Sequence, residues 1–141
     1  MPLEQNKAIE RSIVDRAWNQ GDLTVIDEFV SEDYVGYAGD QTIRGRAPWK
    51  RQITAFRAAF PDLVTAVEDQ IAEGDTVVTR WSARGTHKGE FQGIPPTGNS
   101  VEMRGINIHR IVNGQLVEGW AEADMLGIMQ QLGLVPTRGQ S

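Results

Sequence analysis

The stretch VEMRGINIHRIVNGQLVEGWAEADMLGIMQQL, from Val101 to Leu132, decides how the rest of the chain is read. Asn113-Gly114 separates two strand-like runs. Asn-Gly is the strongest short-range signal for a two-residue hairpin turn, because both turn positions need positive φ. With that pair as the turn, Val112 falls opposite Gln115 and an unbroken ladder follows. It pairs Ile111 with Leu116, His109 with Glu118, Asn107 with Trp120, Gly105 with Glu122 and Met103 with Asp124. Strand side chains alternate between faces, so these last pairs are expected on one side of the sheet. The other side takes Ile106, Ile108, Val112, Val117, Ala121 and Ala123. The first face mixes His, Asn, Trp and carboxylates with apolar residues, the pattern of a lined cavity. Beyond it, Met125, Ile128, Met129 and Leu132 repeat at helical spacing, and Gly133 is placed to close that helix.

Working outward, Leu63–Ala72 and Thr76–Thr86 read as strands joined by a turn at Glu73-Gly74-Asp75. Pro95 and Pro96 stiffen the connector Gly93–Gly98. The amino-terminal part is helical. Ile9, Ile13 and Ala17 form one stripe of a helix over Leu3–Asn19 that ends at Gly21. Asp22 can cap a shorter helix carrying Leu23, Ile26 and Phe29, and Tyr34–Tyr37 reads as a brief strand. A third helix starts near Pro48, aligns Trp49, Ile53, Phe56 and Phe60, and stops at Pro61. Helices followed by strands give an α+β order. The expectation is one domain over residues 1–141, a curved antiparallel sheet wrapped over its helices and enclosing a pocket.

Composition narrows the function. The chain has 141 residues, 23% of them charged, and a net charge of −5, which disfavours nucleic acid and anionic membrane surfaces as partners. With no cysteine there is no disulfide, thiolate nucleophile or thiolate metal site. The first residues lack a signal-peptide pattern and no apolar run reaches membrane-spanning length, so a cytoplasmic location is expected. Two histidines without a close-spaced pair predict no metal site.

Asp124 is the candidate acid/base, because a carboxylate in an apolar setting can take a proton from carbon. The same residue immediately precedes a helix, where it would serve as an N-cap. Asn107 or His109 is the candidate donor to a substrate carbonyl; an ordinary cross-strand pair of His109 with Glu118 is the alternative. Trp120 is expected as a pocket wall or core residue. Tyr37, Met103, Phe56 and Trp81 are further candidate ligand contacts. Glu122 is either a second carboxylate near Asp124 or a rim residue. His87, on a Gly-rich loop, is expected in solvent.

The residues carry a resemblance. Ala59-Phe60-Pro61-Asp62-Leu63, the run Gly85-Thr86-His87-Lys88-Gly89-Glu90-Phe91-Gln92-Gly93-Ile94-Pro95-Pro96-Thr97-Gly98, then Asn113–Glu118 with Trp120 and Asp124, and Gln130-Gln131-Leu132-Gly133 resemble the SnoaL-like polyketide cyclases (ester cyclases). These belong to the nuclear-transport-factor-2-like superfamily of cone-shaped α+β folds. The resemblance implies an intramolecular aldol ring closure on a small hydrophobic carbonyl compound, without metal or cofactor. Asp124 matches the family's aspartate acid/base, and Asn107 and His109 the assisting residues of the preceding strand. The superfamily also holds isomerases, dehydratases, epoxide hydrolases and non-catalytic binders. A non-catalytic small-molecule binder and an epoxide or ester hydrolase are therefore the alternatives. The apolar outer face at Ile106, Ile108 and Val117 implies a homodimer or homotetramer.

Overall fold

In the computed structural model, which describes residues 2–136, the helix over the first apolar stripe runs as α1 (Pro2–Ser12). It then widens into a π-helical segment over Ile13–Asn19, a break of period that the sequence did not signal. Next come α2 (Thr24–Phe29), β1 (Val30–Ala38), β2 (Gln41–Arg44) and α3 (Ala47–Ala59), the last with proline in its first turn. β3 (Val64–Glu73), β4 (Thr76–Thr86), β5 (Ser100–Val112), β6 (Gln115–Ala123) and α4 (Met125–Gln131) complete the chain.

The α+β order expected from the sequence is the one observed, with an open curved sheet and amino-terminal helices. Strand order is β2-β1-β6-β5-β4-β3. The sheet is mixed rather than antiparallel, because β1 lies parallel to β6. The two strands are separated by most of the chain, so nothing local sets their direction.

Two apolar clusters fill the concave side. In the first, Ile13, Ala17, Val25, Ile26 and Ile53 of the helices meet Tyr34, Val77, Ile111 and Leu116 of the sheet. In the second, Ile128 and Leu132 of the α4 region join Ala59, Phe60, Leu63, Phe91, Val101 and Met103. Trp18, on the π-helical segment, packs against both. α4 therefore covers the end of the concave face that the first helices leave open.

The loop after β4 is docked rather than solvated. His87 is fully buried, with its ring 5.6 Å from that of Phe60. The Thr97 N–H donates to His87 Nδ1 at 3.2 Å, and Lys88 and Gly89 N–H both donate to the Ala59 carbonyl, at 3.0 and 3.1 Å. The expectation of a solvated His87 is corrected by these long-range contacts with the end of α3.

Candidate functional site

The hairpin turn is where the sequence puts it, with φ of 52° at Asn113 and 79° at Gly114. Val112 faces Gln115 and Ile111 faces Leu116 as expected. One step further the ladder slips: Arg110 pairs with Glu118, so Val117 is an extra residue in β6. Such a bulge moves every later side chain of its strand to the opposite face. His109 now faces Gly119, Asn107 faces Ala121 and Gly105 faces Ala123.

This corrects the placement of four candidates. Trp120 pairs with Ile108 on the outer face and is 41% exposed. Tyr37, beside it on β1, stacks on its ring at 6.0 Å and is 40% exposed. Glu122 faces Ile106 and is exposed. Asp124 is exposed beyond the strand end, and its Oδ1 accepts the Gly127 N–H at 2.9 Å, so it caps α4. Of the two roles open to Asp124, the cap is the one its contacts describe. Asp124→Ala should cost about 1 kcal/mol, whereas Asp124→Asn should keep the cap and the melting temperature; thermal denaturation of both variants checks this.

The other candidates stay inside. Met103 is buried in the second cluster, and Phe56 is half-buried, with its ring 5.7 Å from Trp18 and 5.2 Å from Phe91. Trp81 is half-buried on the concave face of β4, opposite Gly105. A Cβ at Gly105 would overlap the Trp81 indole, so the glycine is what lets that ring lie across the strand. The Trp81 indole N–H donates to Asn107 Oδ1 at 3.2 Å. Indole is a donor only, so this bond fixes the amide with Oδ1 toward Trp81 and leaves the Nδ2 amino group as a donor for a ligand. Asn107 is half-buried although its strand is central and its neighbours Ile106 and Ile108 point outward. Its accessible surface is therefore on the concave side, beside Gly105 of its own strand and Ala121 across from it.

His109 lies deeper, 2% exposed, about 7 Å along β5 from Asn107 at the usual strand rise. Its partner is Glu10 rather than Glu118: Nδ1 and Glu10 Oε1 share a hydrogen bond of 2.5 Å. Glu118 instead accepts from Arg110. The imidazole sits 5.7 Å from the Trp49 ring and 6.2 Å from that of Tyr34. Burial, with the carboxylates of Glu10 and Glu118 nearby, pushes the Tyr34 phenol above its ordinary range, so it remains a neutral hydrogen-bond donor. A Cβ at Gly119 would overlap the imidazole edge and Tyr34 Oη and would lie 2.8 Å from His109 Nε2.

Sequence reasoning missed Glu10 and Tyr34. A signal for Glu10 was present, because it precedes Ile13 and Ala17 at helical spacing and so puts an acid on the apolar stripe of α1. Among the described residues no group of three His, Cys, Asp or Glu side chains could hold a metal. No helix there is long and apolar enough to cross a membrane.

Comparison with known proteins finds relatives named as cyclases and a structural neighbour named as a hydroxylase. The chain is 27% identical over 121 residues to the aklanonic acid methyl ester cyclase DnrD of Streptomyces peucetius, covering 83% of both chains. It is 29% identical over 122 residues to the nogalonic acid methyl ester cyclase of Streptomyces nogalater, covering 83% of this chain and 90% of that one. Among solved structures, AclR of Streptomyces galilaeus, a candidate hydroxylase, matches 96% of this chain and 85% of its own, at 34% identity and a TM-score of 0.86. The family model described as SnoaL-like polyketide cyclase matches residues 9–132, and the chain belongs to that family.

Proposed function

We propose that the protein is an enzyme that closes a carbon ring in a polyketide ester, with His109 as the proton acceptor and Asn107 as the donor to the substrate carbonyl. The observation that carries this reading is their placement at alternate positions of β5, both on the concave face of the sheet. An acyclic ester carbonyl held by Asn107 Nδ2 acidifies the adjacent C–H. His109 Nε2 takes that proton, and the enolate carbon attacks a second carbonyl of the same molecule. The proton then returns to the new alkoxide, so substrate and product are isomers and no electrons are exchanged. Electrostatic stabilisation of the enolate oxygen by a fixed donor is the larger contribution in such steps. The half-buried Trp81 and Phe56 suit a planar, hydrophobic substrate.

The test is incubation with aklanonic acid methyl ester and nogalonic acid methyl ester, followed by mass spectrometry and chromatography. A product of unchanged mass and altered retention is expected. A product heavier by one oxygen atom would contradict ring closure and side with the AclR likeness. Binding without any product would make the chain a non-catalytic binder. Because the exposed Asp124 carboxylate serves as a cap, Asp124→Asn is expected to turn over like the parent. A collapse of turnover with an unchanged melting temperature would restore Asp124 as the acid/base.

A homodimer through the outer face belongs to the same proposal. Ile106 (47% exposed), Ile108, Trp120 and Tyr37 make a contiguous apolar patch across β5, β6 and β1. Patches of this kind are normally covered. Solution scattering should give the mass of two chains or a multiple, and Trp120→Glu should shift it to one.

A further inference from the structure

We propose that Glu10 is a positioning residue for the proton transfer, fixing the tautomer and orientation of His109 so that Nε2 carries the lone pair. This rests on the reading of His109 given above. Glu10 is 3% exposed and sits ninety-nine residues from His109 in sequence, yet its carboxylate meets Nδ1 at 2.5 Å. An ionised carboxylate only accepts, so the Nδ1 proton is committed to it and Nε2 is left basic. Among the described residues, the side-chain hydrogen bond of the His109 ring is made through Nδ1.

Stability does not explain the pair. An acid on the buried stripe of α1 forgoes apolar packing, and replacing a buried polar or charged pair by well-packed apolar residues is often neutral or stabilising. What the pair does provide is charge balance at the moment of reaction. When Nε2 takes the substrate C–H proton, the imidazolium is formed beside a fixed carboxylate, and it discharges when the proton passes to the product alkoxide. On the facing strand Gly119 carries no side chain, and the imidazole edge and the Tyr34 hydroxyl close in on the position its Cβ would take. The groups facing the ring are Glu10 from α1, Tyr34 from β1 and Trp49 from α3.

The test compares Glu10→Gln, Glu10→Asp and His109→Gln. Glu10→Gln keeps shape and an acceptor oxygen but removes the charge. It should lower kcat about 10²-fold with KM within a few-fold and the melting temperature nearly unchanged. Glu10→Asp, which retains the charge on a shorter arm, should recover part of that loss. Proton NMR supplies a readout that needs no substrate: a far-downfield imidazole N–H signal is expected in the parent, lost in both Glu10→Gln and His109→Gln. A Glu10→Gln enzyme with parental kcat, or a parallel fall of kcat, KM quality and melting temperature, overturns the inference. So does the absence of the downfield signal from the parent. Full activity in His109→Gln would instead overturn the underlying assignment of the base.

Discussion

His109→Gln is expected to lower kcat for ring closure of the two methyl esters by about 10²–10⁴-fold, the usual contribution of a positioned acid/base. The amide of glutamine is of similar reach but accepts no proton at neutral pH. Asn107 and Trp81, which bond each other further along the sheet, are untouched by the change, so substrate binding should change far less than turnover. Single-turnover kinetics with the parent and the variant separate the two. Retention of more than a tenth of the parental kcat would mean that His109 is a core residue paired with Glu10 and that the proton goes elsewhere.

Gly89→Ala should give the largest loss of stability, about 2–3 kcal/mol, at the upper part of the range for overpacking. A Cβ at Gly89 would overlap the carbonyl oxygen of Ala58 and lie 3.2 Å from the Cα of Ala59. Both are backbone atoms at the end of α3, which cannot turn aside as a side chain would. The Gly89 N–H bond to the Ala59 carbonyl, at 3.1 Å, requires this closeness. Urea denaturation checks the prediction. A loss below 0.5 kcal/mol would show that the loop does not dock on α3 in solution.

How much of this was legible in the sequence depends on range. The Asn113-Gly114 turn, the strand Thr76–Thr86 and the final helix carry their signals within a few residues, and each stands where it was expected. The bulge at Val117 was missed because a regular ladder was assumed to continue. A physical objection to that ladder was nevertheless available: it buried Glu118, Glu122 and Asp124 on one enclosed face, and unpaired buried carboxylates are costly. Slipping by one residue sends Glu118 and Glu122 outward and brings Gly119 and Ala121 in. Asn107 and His109, upstream of the slip on the unbulged strand, kept their expected face. The partners of buried polar groups were out of reach of local reading. Glu10 meets His109 only after the sheet has wrapped over α1, and His87 finds Phe60 only when its loop folds back on α3.

The bulge also separates two surfaces with opposite tasks. Gly105 and Gly119 on the concave side let the Trp81 and His109 rings lie against the strands, while the aromatic pair Tyr37 and Trp120 is exposed on the convex side, where the proposed second copy of the chain would sit. The four tryptophans report on both. Adding a purified ring-closed methyl ester to ¹⁵N-labelled protein should displace the indole N–H resonance of Trp81, which is bonded to Asn107, and leave that of Trp120 unmoved. A displaced Trp120 signal with an unmoved Trp81 would place the ligand on the convex face and contradict the account.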